Sequence, residues 1–305
     1  MKKVLALLAV AISVVTVAEC GAAKKAAATE PANKEEIIEA AQKAAAVEPA
    51  KKAASIETVK IEPEKNTASI ETMKTGPANK AAGIETAKIW PAKKVVIFGD
   101  SYSTFEGSIP EGYACWYFVE SEMQNDCHCV DSTWWSRVVK DLGMDLLLNS
   151  SYSGATICNT GYNGDDYSDR SFVTRMKTDI VAEDGTVLCG DEPDVILILA
   201  GTNDSWAHAP AGELLGREDW RQADLACVLP AVSYMMGYLT EKLPKTRIIL
   251  IVNSELDPVT TGGLHEAARI FGAESVQLVD IDKQWNHPSN AGMRAIAEQV
   301  ERALR

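Results

Sequence analysis

The sequence predicts an α/β fold for residues 95–305, in which a parallel β-sheet lies between two layers of helices. In this part of the chain, short apolar runs alternate with amphipathic segments of helical length, which is the pattern of a parallel α/β sheet. The apolar runs are rich in Val, Ile and Leu without polar alternation, so both faces of the sheet are expected to be covered. About 210 residues are enough for one well-buried domain. We therefore expect a single three-layer αβα domain.

The predicted elements follow one another regularly along the chain. Strands are expected at residues 95–98, 145–148, 195–200, 247–252 and 276–279. Helices are expected at residues 134–142, 225–243, 264–271 and 290–304. Two intervening stretches, residues 104–132 and 157–193, are longer than ordinary loops, and loops of that length tend to carry function.

Residues 1–20 have the features of a signal peptide. Two lysines precede an apolar run at residues 4–18, which is too short for a comfortable membrane span. The run ends at Cys20 in a sequence that is similar to the lipobox of bacterial lipoproteins, in which the cysteine is lipidated. Glu19 departs from that motif, so simple secretion with cleavage near Ala18 is the alternative. The protein is therefore expected to be exported, either as a cell-envelope lipoprotein of the outer membrane or periplasm or in secreted form.

Residues 21–94 are expected to form a disordered spacer. The segment consists mainly of Ala, Lys, Glu and Pro, and the tripeptide Ile-Glu-Thr at positions 56–58 recurs at 70–72 and 84–86. Such a composition cannot bury enough apolar surface to offset the entropy lost on ordering. Prolines repeated with the same spacing also interrupt any long helix. We interpret the segment as a low-complexity linker, with a binding role for the repeat as the alternative.

The charge of the following domain excludes one class of partner. Residues 95–305 carry 15 Lys or Arg against 32 Asp or Glu, a formal net charge of −17. Nucleic-acid phosphates need a basic surface, so no nucleic-acid partner is expected.

The cysteines favour disulfides or buried thiols over a metal site. If Cys20 carries lipid, six cysteines remain, and an even number in an exported protein can pair. Cys127 and Cys129 flank His128, but this spacing is tighter than that of zinc ligands and no second pair lies nearby. Neither a metal nor another cofactor is expected.

Polar blocks follow the predicted strands where each strand ends. Ser101 follows the first strand, Gly154 the second, Asn203 the third, and His287 the last. Ligands of open parallel sheets bind at the carboxyl ends of the strands, so these blocks are expected to meet at one edge. They supply a nucleophile, a base and donors for an oxyanion, which are the parts needed for acyl transfer.

These blocks, Gly-Asp-Ser, Ser-Gly-x-Thr, Gly-x-Asn-Asp and His-Pro, resemble those of SGNH/GDSL hydrolases and appear in the same order over residues 95–305. The resemblance implies a flavodoxin-like sheet, the SGNH hydrolase fold, and a serine-dependent carboxylic ester hydrolase. It places the nucleophile at Ser101 and the base at His287. It places the oxyanion donors at the backbone N–H groups of Ser101 and Gly154 and the side-chain amide of Asn203. The G-x-S-x-G pattern of another serine hydrolase type does not occur in the chain.

One position departs from the family pattern. The family places the acid of its triad three residues before the histidine, where this chain has Gln284. The nearest carboxylates upstream belong to Asp282 and Asp280. A carboxylate on the imidazole Nδ1 orients the ring and stabilises the imidazolium, so we hypothesise that Asp282 is the acid. The alternative is a backbone carbonyl at that position, which leaves a Ser–His dyad.

The sequence indicates the substrate class less directly than the reaction type, because the fold does not select among esters, thioesters and amides. Trp206 and Trp285 lie close to the predicted site residues, and such amphipathic rings suit sugar faces as well as core packing. A glycan or other small-molecule ester, most simply an acetyl ester, is the expected substrate. A lipase or thioesterase is the next alternative. A surface-tethered carbohydrate-binding protein that retains the fold with weak catalysis is the alternative from another class.

Overall fold

The computed structural model describes residues 94–120 and 125–305. The expected signal peptide at residues 1–20, with Cys20, lies outside the described residues. So does the expected linker at residues 21–94, apart from Lys94, and both stay predictions. Within the described ranges, no helix is long and apolar enough to cross a membrane.

Five parallel strands form one sheet in the order β2-β1-β3-β4-β5. The strands are β1 (Lys94–Gly99), β2 (Asp145–Ser151), β3 (Val195–Ala200), β4 (Arg247–Val252) and β5 (Glu274–Gln277). The chain leaves β1 toward one side of the sheet and returns on the other, so a crevice opens at the carboxyl ends of β1 and β3. The predicted parallel α/β sheet is confirmed.

Helices cover both faces of this sheet. Side chains of β1 alternate between two hydrophobic clusters, with Val96 and Phe98 in one and Val95 and Ile97 in the other. The helices Val228–Lys242 and Pro258–Phe271 contribute to the first cluster, and the helices Trp134–Asp141 and Asn290–Leu304 to the second. Burial of each large aliphatic side chain contributes about 1.5–3 kcal/mol, so the sheet is a rigid platform for the residues at its edge.

Some boundaries differ from the prediction for local reasons. The helix Pro258–Phe271 begins well before residue 264, because the Asp257 carboxylate accepts from the N–H groups of Val259 and Thr260 and caps it. Pro258 suits the first helical turn, where its missing N–H has no partner to lose. The last strand ends at Gln277 rather than at residue 279.

Several elements were not predicted. Two are short helices, Phe172–Arg175 and Thr202–Trp206, and the first continues into a π-helical turn, Met176–Ile180. A two-stranded antiparallel hairpin, β6 (Lys283–Gln284) and β7 (His287–Pro288), precedes the last helix. The hairpin matters most here, because it carries the predicted base.

Candidate active site

Ser101 lies in the first turn after β1, at the carboxyl edge of the sheet. It begins a short 3-10 helix, Ser101–Ser103, which Asp100 caps by accepting from the Tyr102 N–H at 3.0 Å. Gly99 permits this turn, because a Cβ at that position would lie 2.5 Å from the Ser103 side chain. The Ser101 side chain is therefore held in a fixed place directly above the end of a buried strand.

The hairpin that carries His287 has a left-handed turn. Its two central residues are Trp285, with φ of +54°, and Asn286, with φ of +58°. Positive φ at both positions is the geometry of a type I′ turn, whose twist suits a two-residue hairpin loop. Left-handed backbone is uncommon for a side chain as large as that of Trp, and it persists only where the surroundings enforce it. The Tyr102 hydroxyl does so by donating to the Asn286 carbonyl at 2.6 Å.

The hairpin brings the imidazole of His287 against Ser101. The distance from His287 Nε2 to Ser101 Oγ is 2.9 Å, and the distance from Nδ1 to the Trp285 carbonyl oxygen is 3.0 Å. A carbonyl oxygen only accepts, so Nδ1 carries the ring proton and Nε2 is left to accept from the serine hydroxyl. This is the tautomer that a general base needs.

Asp282 does not contact the imidazole, so the expected position of the acid is wrong. Asp282 is solvent-exposed, and its Oδ2 accepts from the hydroxyl of Ser289, the N-cap of the last helix. Gln284 is also turned away, because its Oε1 accepts from the Asp126 N–H at 2.8 Å. The arrangement corresponds to the alternative of a Ser–His dyad with a backbone carbonyl on Nδ1.

Aromatic rings enclose the imidazole. The Trp116 ring stacks on it, with centroids 3.5 Å apart and planes 9° apart. Tyr102, Tyr117 and Trp206 approach at steep angles, with centroid distances of 5.2, 6.3 and 6.1 Å. Burial is the main cause that lowers the pKa of His287, to about 3, and the nearby charge of Lys283 adds to the effect while the Trp285 carbonyl opposes it. The base is therefore neutral in the resting protein.

Because of this environment, we expect His287 to stay neutral at the pH values at which an ordinary histidine becomes protonated. We expect its ring resonances in NMR spectra to stay unchanged between about pH 8 and pH 5, because burial disfavours the charged form. A His287→Gln variant identifies the resonances by difference. A midpoint near the ordinary value of 6.5 would contradict the enclosed, uncharged base.

The predicted oxyanion donors follow β1, β2 and β3. Gly154 has φ of +83°, which favours glycine. Within the described residues, neither the Ser101 N–H nor the Gly154 N–H donates to another protein group, so both are available to an oxyanion. Asn203 is oriented by two contacts, since its Nδ2 donates to the Ala155 carbonyl at 2.9 Å and its Oδ1 accepts from the Tyr162 hydroxyl at 2.9 Å. The second amide hydrogen stays available, and the catalytic roles of these groups stay predictions.

A buried arginine ties together the strand ends below the site. Arg175 is 1% exposed and donates to the carbonyls of Ser150, at 2.6 Å, and Gly99, at 3.1 Å. The rings of Phe98 and Phe172 lie 4.9 and 4.5 Å from its guanidinium carbon. Burial lowers the pKa of Arg175 to about 10, so the group stays charged at neutral pH. Arg175 thus holds β1 and β2 in register directly before the turn that carries Ser101.

Tyr162 and Arg175 are site residues that could not be recognised from the sequence. Neither belongs to a motif, and the only signal was the unusual length of residues 157–193, in which both lie. The buried carboxylate of Asp204 also acts on this stretch, accepting from the N–H groups of Ile157 and Cys158. It thereby fixes the loop that follows Gly154.

Neither a metal-binding cluster nor a disulfide is formed within the described residues. No group of three His, Cys, Asp or Glu side chains within residues 94–120 and 125–305 is placed to hold a metal ion. The cysteines in those ranges are free thiols, at positions 115, 127, 129, 158, 189 and 227.

Comparisons with known proteins show the family of the chain. The family model for GDSL-like lipase/acylhydrolase matches residues 93–304. Among solved structures, a candidate GDSL-like lipase from Bacteroides uniformis is 43% identical, with a TM-score of 0.63 over 70% of this chain and 95% of the other. A candidate GDSL-like lipase from Bacteroides ovatus is 38% identical, with a TM-score of 0.63 over 70% of this chain and 98% of the other. Comparison with curated proteins found no match. The chain belongs to the GDSL-like lipase/acylhydrolase family and is an ester-bond hydrolase.

Proposed function

We propose that this protein removes acetyl or other short acyl groups from a glycan through a Ser–His dyad. The observation that carries the proposal is the contact of Ser101 Oγ with His287 Nε2 at 2.9 Å, with the Trp285 carbonyl on Nδ1. Nucleophile, base and orienting group form one continuous chain of hydrogen bonds. Such a chain is the geometric signature of serine-dependent acyl transfer.

In the first half-reaction, Ser101 Oγ attacks the ester carbonyl carbon and its proton moves to His287 Nε2. The carbonyl π electrons move to oxygen, where the N–H groups of Ser101 and Gly154 and the amide of Asn203 stabilise the negative charge. His287 then gives the proton to the leaving alkoxide as the C–O bond breaks. Water repeats the sequence on the acyl-enzyme and releases the carboxylic acid.

The exposed indole of Trp285 supports a sugar-bearing substrate. Its side chain is 55% exposed, although it is among the largest apolar groups of the chain. It projects from a turn that the Tyr102 hydroxyl and the His287 imidazole hold from within. A solvent-facing aromatic ring on the turn that holds the base suits the apolar face of a sugar ring.

The test compares two substrates and one variant of the full chain. We expect release of acetate from an acetylated polysaccharide as well as hydrolysis of p-nitrophenyl acetate. Trp285→Ala should raise KM for the polysaccharide by about five- to tenfold, because stacking is lost. The kinetics with p-nitrophenyl acetate should change little, since the backbone carbonyl remains. Leu188→Ala is the control, because Leu188 is also exposed but lies near Asp191, which pairs with Lys94 at the opposite edge of the sheet.

Other outcomes would contradict the proposal in distinct ways. Preference for octanoyl over acetyl esters, with no acetate released from any polysaccharide, would make the protein a lipase. Loss of all turnover with retained polysaccharide binding would make it a binding protein that keeps the fold.

We also propose, from the sequence alone, that the site acts outside the cytoplasm. The support is the short apolar leader that ends at Cys20, and a lipid anchor at this residue would attach the domain to a membrane. Cell fractionation separates this form from a soluble exported one.

A further inference from the structure

Among the described residues, no carboxylate contacts the imidazole of His287. Its two hydrogen-bond partners, the Trp285 carbonyl and the Ser101 hydroxyl, are neutral. The charge with a noticeable effect on the ring is that of Lys283, which is positive and bonded to Glu255 at 2.7 Å. Acyl transfer, as proposed above, nevertheless requires a positive imidazolium at this place. Some other group must therefore stabilise it.

The face of the imidazole is covered by Trp116 in an unusual geometry. The rings are nearly parallel and directly superposed, with centroids 3.5 Å apart. Two neutral rings disfavour such a sandwich and prefer offset or edge-on contacts. A cation over an indole face, in contrast, is attracted by the ring quadrupole, and Trp is the strongest aromatic partner for it. The stack is thus unfavourable while the imidazole of His287 is neutral, and it becomes favourable when the ring is protonated to imidazolium.

Hydrogen bonds to the turn that carries Ser101 fix the position of Trp116. Its backbone N–H donates to Thr104 Oγ1 at 2.9 Å, and that hydroxyl donates to the Ser101 carbonyl at 3.0 Å. Its indole N–H is buried and has no hydrogen-bond partner among the described residues. An unpaired buried donor costs stability that Phe would not cost. The choice of indole is therefore explained by its ring face rather than by its N–H.

We propose that Trp116 stabilises the His287 imidazolium through its ring face, in the role that a carboxylate fills in a Ser–His–acid triad. The inference rests on the proposed function, because it needs His287 as the base. Only an interaction that strengthens as the charge forms raises the rate of the chemical step. Trp116 acts through His287, so a change in its ring should alter kcat and leave KM nearly constant.

The experiment changes the electron density of the ring and leaves its shape nearly unchanged. Tryptophans with one to four ring fluorines are incorporated at position 116 of the full chain, and kcat and KM are measured with an alkyl acetate. This ester has a poor leaving group, which His287 must protonate. We expect log kcat to fall stepwise with fluorine number, by about tenfold over the series, at nearly constant KM.

The same series at Trp135 is the control. Trp135 is also buried in the same hydrophobic cluster, and in the described part of the chain its indole N–H has no partner and its ring is not among those that contact His287. Its series should leave kcat unchanged. A flat series at position 116, or equal losses at both positions, would overturn the inference and leave Trp116 as a packing residue. Failure of the proposed function itself would appear separately, as full activity in Ser101→Ala.

Discussion

The Ser101→Ala variant is expected to lose about a millionfold in kcat on p-nitrophenyl acetate while it stays folded. The Ser101 hydroxyl forms the acyl-enzyme in the proposed reaction, and within residues 94–120 and 125–305 it is the hydrogen-bond partner of His287 Nε2. A fluorophosphonate probe should label Ser101 in the wild type and no serine in the variant. A circular dichroism spectrum like that of the wild type shows that the loss is chemical. If the variant keeps more than a small fraction of the rate, the nucleophile lies elsewhere.

Asp282→Asn and Gln284→Ala are the matched comparisons. Both residues lie within five positions of His287, and neither contacts its ring. Each should keep kcat within a few fold of the wild type, because the Trp285 carbonyl orients the imidazole in their place. In a triad, the equivalent loss of the acid costs about 10⁴ in kcat. A loss of that size in Asp282→Asn would restore the original hypothesis.

The Arg175→Met variant is expected to lower the free energy of unfolding by about 3 kcal/mol. Methionine fills part of the volume but cannot donate, so the carbonyls of Ser150 and Gly99 each lose a buried charged donor. Urea unfolding measures the change. The comparison is Arg269→Met, because Arg269 has a 72% exposed side chain that only pairs with Glu266 on the same helix. Such surface pairs contribute little. Equal stabilities of the two variants would mean that Arg175 is not a structural clamp.

The sheet could be predicted because its strands are buried on both faces. β3 and β4 coincide with their predicted ranges, since every residue of β3 and all but the first of β4 are buried and give an uninterrupted apolar run. β5 is less clear, because its first residues are exposed and the apolar signal lies at its end. The prediction was therefore displaced toward Val279, which is 54% exposed beyond the strand.

The hairpin at His287 could not be predicted from composition. Its strands have two residues each, below the length at which alternation is visible. Asn286 suits a left-handed turn, but Trp285 does not, and no glycine marks the position. The hypothesis for Asp282 assumed that a side chain would occupy Nδ1. A main-chain group has no sequence signature, so its role became visible only with the fold.

The group that aligns the base belongs to every amino acid, and no substitution at position 285 can delete it. What selection can change is the pair of torsion angles that points this oxygen inward. Residues that resist a left-handed backbone, such as Val or Ile, would turn this carbonyl away from His287 and so inactivate the site without removing any functional group. The orientation of the base thus depends on the local backbone conformation rather than on a charged side chain. Surveys that require an acidic residue near the histidine would pass over hydrolases built in this way.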